Sequence, residues 1–325
     1  MIDSNFSCLP LSETTLHNLG ELGMVQMTPI QAESLPDILQ GRDVIAQAKT
    51  GSGKTAAFGL GLLHQLESKR FRVQALVLCP TRELADQVAK ELRRLARMSD
   101  NTKILTLSGG LPFGPQLDSL RHGVHVVVGP PGRVLKHLEK GSLVLKNLQT
   151  LVLDEADRML DMGFIEEIEK VISYAPSQRQ TLLFSATYPQ EIEQLSRSVQ
   201  RNAIQIETQS REVANQIEEY FYEVPPKQKS AALVQALAHH KPENAMVFSN
   251  TKQGAREITE VLRKQGVDAL AIHGDLEQIQ RTDVLVQFAN GSCAVLVATD
   301  VAARGLDIKA LGMVINYDLP HDEAT

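Results

Sequence analysis

The 325-residue sequence predicts two α/β domains in tandem, each a parallel sheet flanked by helices. Three observations predict this. Short aliphatic and β-branched runs recur along the chain, each followed by a stretch with apolar residues at i, i+3 and i+4, the alternation of a doubly wound sheet. The runs are continuously apolar rather than alternating, as strands buried on both faces must be. Around 207-ETQSREVANQ-216 the rhythm fades into a polar stretch and then starts again.

In the first series the strand candidates are 43-DVIAQA-48, 75-ALVLCP-80, 103-KILTLS-108, 124-VHVVVG-129, 150-TLVLDE-155 and 181-TLLFSA-186. Between them, stretches such as 83-ELADQVAKELRRLARM-98 read as amphipathic helices. The second series offers 218-EEYFYEV-224, 244-NAMVFSN-250, 268-DALAIHG-274, 293-CAVLVATD-300 and 312-GMVINYD-318. Pro225-Pro226 fits neither a central strand nor a helix interior and marks a boundary just after a strand. These patterns place the first domain at 1–207, a linker at 208–216 and the second domain at 217–325. The second block stops directly after a strand, so it reads as truncated at its C-terminal end.

Composition narrows the function classes. The 33 Lys and Arg against 39 Asp and Glu give a net charge of −6, which argues against coating nucleic acid by bulk charge but leaves room for a local basic groove. No apolar run approaches the roughly 18 residues of a membrane span, and the N-terminus lacks a signal-peptide layout. Cys8, Cys79 and Cys293 lie far apart, with the spacing of neither a disulfide framework nor a zinc site. These features predict a reduced, cytoplasmic protein that meets no membrane; a monomer is the separate expectation.

The sharpest chemical signal is 48-AKTGSGKT-55, which follows a strand pattern and opens a helical one. Ala48, Lys49, Thr50, Gly51, Ser52 and Gly53 form a loop whose backbone N–H groups can cradle phosphate oxygens, glycines allowing the curl. The helix N-terminus adds its positive dipole end, Lys54 reaches the β/γ-phosphates, and the Thr55 hydroxyl serves Mg²⁺. The generic pattern has Gly where this chain has Ala48.

A phosphate loop needs an acid at a neighbouring strand end, and 150-TLVLDEAD-157 supplies it. Asp154 falls at the carboxyl edge of the sheet, where α/β folds bind ligands, and can hold Mg²⁺ through water. Glu155 can orient and deprotonate the attacking water. ATP hydrolysis is the reaction these two motifs support. The bland reading of each, a solvated Gly-rich turn and a solvated acidic turn, weakens once they occur together. His273 ends a strand without an acid partner or metal spacing, which predicts a structural or loop hydrogen-bonding residue.

With DEAD at 154–157 and AKTGSGKT, the sequence resembles the DEAD-box ATP-dependent RNA helicases of superfamily two. MTPIQ at 27–31, PTREL at 80–84, GG at 109–110, PGR at 131–133, SAT at 185–187, VFSNTK at 247–252, HGDLEQIQR at 273–281 and ATDVAARGLDI at 298–308 follow in family order. Stretches 75–97 and 284–292 most resemble the bacterial DbpA-type members, which act on large-subunit ribosomal RNA.

The resemblance implies two RecA-like domains that bind ATP and single-stranded RNA between them and locally unwind short duplexes. It implies that Gln31 reads the adenine edge and that Asp307 touches the ribose. Pro80, Thr81, Arg82, Gly109, Gly110, Gly132 and Arg133 are implied as the RNA-facing side of domain one. Asn250, Thr251, Asp275, Gln278, Arg281 and Thr299 are implied for domain two, with Ser185 and Thr187 linking nucleotide state to closure. Met24 stands where the family has an aromatic for adenine, and Pro130 replaces a Thr. The family's arginine-rich H-R-x-G-R-x-x-R segment would lie beyond Thr325, which implies a nearly inactive chain. The rival expectations are an ATP-gated RNA clamp that does not unwind, and a non-functional gene fragment.

Overall fold

The computed structural model describes residues 4–49, 51–99, 101–208, 217–299 and 311–319. Thr50, Asp307 and linker residues 209–216 lie outside them. The chain divides into two compact units, Met1–Val213 and Ala214–Thr325.

The first unit holds seven parallel strands: β1 (Val44–Gln47), β2 (Ala75–Leu78), β3 (Ile104–Thr106), β4 (Val126–Gly129), β5 (Thr150–Leu153), β6 (Gln180–Ser185) and β7 (Ile204–Glu207). Their order across the sheet is β3-β4-β2-β5-β6-β1-β7. Among the described residues nine α-helices accompany them: α1 (Glu13–Glu21), α2 (Pro29–Leu39), α3 (Lys54–Gln65), α4 (Arg82–Leu95), α5 (Phe113–Arg121), α6 (Pro131–Glu139), α7 (Ala156–Asp161), α8 (Ile165–Ser173) and α9 (Gln190–Val199). The continuous apolar runs are explained by two cores. Leu76, Leu78, Leu151, Leu153 and Leu183 face one side, with Val134, Leu138, Ile168 and Val171 of α6 and α8. Val77, Val126, Val128, Val152 and Phe184 face the other, with Phe58, Leu62, Val88 and Leu92 of α3 and α4. Each such buried side chain contributes roughly 1.5–3 kcal/mol against staying in water. Phe58 and Phe184 meet edge to face at 5.3 Å, a geometry that adds to area burial.

The second unit holds β8 (Ala245–Ser249), β9 (Ala269–Ile272), β10 (Val295–Thr299) and β11 (Met313–Asn316), with α10 (Lys229–His240), α11 (Lys252–Lys264) and α12 (Gln278–Ala289). The four strands are parallel in the order β11-β8-β10-β9.

Two local expectations differ from the structure. Segment 218–224 forms no strand; Phe221 is 91% exposed. A strand exists only with a partner, and among the described residues 218–224 pairs with no strand of the β11-β8-β10-β9 sheet. The tyrosines contact α10 instead: the Tyr222 hydroxyl lies 2.8 Å from His240 Nε2. Pro226 opens a 3₁₀ turn, Pro226–Gln228, leading into α10. Conversely, Ile204–Glu207 is a strand the pattern did not announce. It alternates Ile and polar residues because β7 lies at the sheet edge with only Ile206 fully buried. Among the described residues, no helix is long and apolar enough to cross a membrane.

Candidate active site

The loop between β1 and α3 turns through two left-handed glycines, Gly51 (φ 81°) and Gly53 (φ 92°). At Gly53 a side chain is excluded twice over, since a Cβ there would sit 2.5 Å from Gln31 Nε2. Gln31 is buried at the start of α2. Its Nε2 donates to Gly53 O at 3.0 Å and its Oε1 accepts from Thr28 N at 3.0 Å. The amide thus pins α2 to the loop, while one N–H and one lone pair remain for a base edge. Met24 is half-buried against the cluster of Phe6, Leu19, Met27 and Leu35. Lys49 and Gly51 are exposed, and Thr55 is half-buried on the first turn of α3.

Lys54 is 6% exposed, and its Nζ donates to Ala48 O at 2.8 Å. Ala48 N in turn donates to Ser185 O at 3.0 Å, joining the loop to the end of β6. The Ser52 hydroxyl oxygen is buried with no hydrogen-bond partner among the described residues. An orphaned hydroxyl, an ammonium bonded to a loop carbonyl and a helix N-terminus form a donor set that suits phosphate.

Asp154 follows β5, and its N–H donates to Leu78 O at 2.9 Å. It is 3% exposed. Burial pushes its carboxyl up to about 7, opposed by the Lys54 ammonium and reinforced by Glu155. Glu155 opens α7 in a left-handed conformation (φ 52°, ψ 54°), which a residue with a Cβ adopts only under tertiary constraint. A buried carboxylate that ionises at a cost suits a divalent cation, and Mg²⁺ beside phosphates needs only one or two carboxylates. Among the described residues no group of three His, Cys, Asp or Glu offers an all-protein metal site.

The sequence assigned no task to Asp157, although it ends the same acidic run. Its Oδ2 accepts from Ala186 N (3.1 Å), Thr187 N (2.9 Å) and Thr187 Oγ1 (3.0 Å). Its N–H donates to the Ser185 hydroxyl oxygen at 3.2 Å. The acid after β5 therefore holds the loop after β6. Asp157→Asn is expected to cost the first unit about 1–2 kcal/mol, because either amide orientation turns an NH₂ toward donors. Urea unfolding of the two chains measures this; an unchanged midpoint would show that the cage contributes nothing net.

Toward the other half of the sheet, Pro80 is buried and Thr81 caps α4, its Oγ1 accepting from Leu84 N at 3.2 Å. Arg82 Nη1 donates to Gly109 O at 3.1 Å, and Arg133 Nη2 to Leu111 O at 2.9 Å. Around Gly109 and Gly132 a Cβ would meet nothing within 4 Å. Packing within the chain does not demand glycine there; close approach of a ligand backbone would. Pro130 precedes α6, and its carbonyl accepts from Arg133 N and Val134 N.

In the second unit, Asn250 N donates to Asp318 Oδ2 at 3.1 Å and its Nδ2 to Leu319 O at 2.9 Å. Asp318 also accepts from Lys229 and Ser249, a tie that no sequence signal marked. Thr251 caps α11 by accepting from Gly254 N. Asp275 pairs with Lys252 (2.5 Å) and Arg256 (3.0 Å), and the Lys252 hydrogen bond holds its carboxyl below the usual range. Arg281 and Thr299 are buried at the start of α12 and the end of β10. Gln278 Oε1 is buried with no partner among the described residues. His273 Nε2 accepts from Arg256 Nε at 3.1 Å, and burial with Arg256 lowers its pKa. It is a hydrogen-bonding residue of the loop.

Comparison with known proteins bears on this arrangement. The DEAD/DEAH box helicase family matches residues 28–195, and the helicase conserved C-terminal domain matches 228–325. The ATP-dependent RNA helicase DbpA of Escherichia coli (strain K12) is 57% identical over 319 residues, covering 98% of this chain and 69% of that protein. The DEAD-box ATP-dependent RNA helicase CshA of Bacillus cereus is 44% identical, covering 98% of this chain and 61% of that protein. This chain therefore spans about three fifths to two thirds of the length of these relatives. Among solved structures, S. cerevisiae Dbp5 bound to RNA and ADP BeF3 gives a TM-score of 0.84 at 28% identity, covering 99% of this chain and 82% of that one. A DEAD box protein from the hyperthermophile Methanococcus jannaschii gives 0.61 at 39% identity, covering 98% and 86%.

Proposed function

The chain belongs to the DEAD-box ATP-dependent RNA helicases, enzymes that hydrolyse ATP, and on that premise we propose that it is the ATP-driven core of a helicase that locally separates short RNA duplexes. The observation that carries this reading is the convergence of Lys54, Asp154 and Glu155 at the carboxyl ends of β1 and β5, with Asp157 bonded to Ala186 and Thr187 beyond β6. In this proposal Gln31 binds the adenine edge, Lys54 meets the β/γ-phosphates, and Glu155 orients and deprotonates the attacking water. Thr55 and Asp154 would hold Mg²⁺, which when bound neutralises phosphate charge. In the first unit Arg82, Arg133 and the glycine turns grip RNA phosphates; in the second unit Asn250, Thr251, Asp275, Gln278, Arg281 and Thr299 are its own RNA-facing residues. Such backbone contacts position RNA without reading its sequence. Large-subunit ribosomal RNA as target, cytoplasmic location and a monomeric state belong to the proposal through the DbpA-type resemblance.

A duplex-release assay on the complete protein tests it. A short RNA duplex is expected to be separated with ATP and retained with a non-hydrolysable analogue. RNA held in the presence of ATP with no strand release would replace unwinding by an ATP-gated clamp.

A further inference from the structure

Beyond the residues assigned so far, one buried amide organises the RNA-facing side of the first unit. The loop between β3 and α5 carries Gly109 and Gly110, and three of its carbonyls are held by side chains. Arg82 holds Gly109 O and Arg133 holds Leu111 O. Gln116, buried on α5, donates from Nε2 to Ser108 O at 3.0 Å. Its Oε1 accepts from Arg133 Nε at 3.0 Å and lies 3.2 Å from His137 Nε2.

Donor and acceptor chemistry fixes this network without ambiguity. A backbone carbonyl only accepts and a guanidinium only donates, so the amide must point its NH₂ at Ser108 and its oxygen at Arg133. His137 Nε2 must then carry the ring proton, because it also faces that oxygen. His137 Nδ1 is left as an acceptor toward Ser142 Oγ at 3.0 Å, while the same hydroxyl lies 2.9 Å from His137 O. One hydroxyl proton is thus shared between two acceptors. Burial, with Arg133 and Lys140 nearby, holds the imidazole neutral with a pKa of about 4. Phe113 backs the ring, stacked on His137 at 4.0 Å and 10°, and the Arg133 guanidinium lies 5.1 Å from the Phe113 centroid.

We propose that Gln116 is a positioning residue for RNA binding, fixing the Gly109-Gly110 loop and the Arg133 guanidinium relative to each other so that both meet one RNA strand. The inference rests on the reading that these two elements grip RNA. Arg133 spends its Nε and one Nη2 proton on Gln116 and Leu111, and its remaining three donors are pre-oriented for phosphate. Pre-orientation strengthens binding by removing the ordering cost that a free arginine and a free loop would each incur.

The test compares wild-type chain with Gln116→Met, which keeps the volume but removes all three contacts, and Gln116→Glu, which keeps the two acceptor contacts. Affinity for a short fluorescein-labelled oligo-uridine RNA is measured at fixed salt with Mg²⁺ and a non-hydrolysable ATP analogue. ADP affinity is measured in parallel. Long-range ¹H–¹⁵N spectra at neutral pH report the His137 tautomer. Gln116→Met is expected to weaken RNA binding about tenfold with ADP affinity unchanged, and to move the His137 proton to Nδ1, where Ser142 satisfies it. Gln116→Glu is expected to keep a proton on Nε2 and the hold on Arg133 but, having lost the bond to Ser108 O, to recover only part of the RNA affinity. A Gln116→Met chain that binds RNA like wild type, or that loses ADP and RNA affinity in step, overturns the positioning role. Absence of RNA binding by the wild-type chain would overturn the functional reading beneath it as well.

Discussion

Replacing Lys54 with alanine in the complete protein is expected to lower ATP turnover by roughly 10²–10³-fold, the usual loss when one preorganised donor to developing charge is removed. The fold of the first unit is expected to survive. Lys54 occupies the first position of α3, where alanine is at least as good a helix former. Its ammonium contributes to the fold an attraction to Asp154 and one hydrogen bond, to Ala48 O, a bond from a charged donor being worth roughly 1.5–3 kcal/mol net. The rest of the loop is shaped by Gly51, Gly53 and the Gln31 bonds, which the substitution leaves in place. Steady-state ATPase with saturating RNA gives the first quantity and circular-dichroism melting the second. Turnover within tenfold of wild type, in a chain that melts normally, would remove Lys54 from the phosphates.

The sequence made visible those features that depend on neighbours along the chain. β2 was legible because each of its residues faces one of two cores, so the run Ala75–Leu78 has no polar position to interrupt it, and β5 because all but Thr150 do. The proposed phosphate loop was legible as a strand–loop–helix unit because strand, glycines, lysine and helix start lie within a few residues. Features decided by partners across the fold were not. β7 hides its strand character behind Gln205 and Glu207 because it is an edge, and 218–224 has strand composition but no ladder. The cage around Asp157 exists because β5 and β6 are neighbours, which brings Ala186 and Thr187 to a carboxylate about thirty positions away in sequence. Gln31 could be read as an adenine-binding type, but its hold on Gly53 depends on how α2 packs against α3. Gln116 carries no motif, and only the meeting of α5, α6 and the β3–α5 loop reveals it.

The acid at the end of β5 leads to a pH-dependent expectation. Its folded value of about 7 lies above the ordinary aspartate value near 4. Between those values the folded chain binds more protons than the unfolded chain, so stability falls as pH rises through this window and levels off above it. Integrating from about pH 5 to about pH 8 gives a loss of roughly 2–3 kcal/mol from this one group in the absence of nucleotide and Mg²⁺. Asp154→Asn removes the titration while preserving shape. Wild type and variant are therefore expected to draw apart as pH rises, with the variant the more stable at the alkaline end. Mg²⁺ with ADP should act in the opposite sense on wild type alone, since a cation favours the ionised carboxylate, and its stabilising effect should grow with pH up to about 7. Urea midpoints of both chains at the two pH values, with and without ADP and Mg²⁺, measure all eight corners of this cycle. Parallel pH profiles for the two chains without ligand would mean that Asp154 is solvated well enough to stay ionised, and that the strain assigned to its burial is absent.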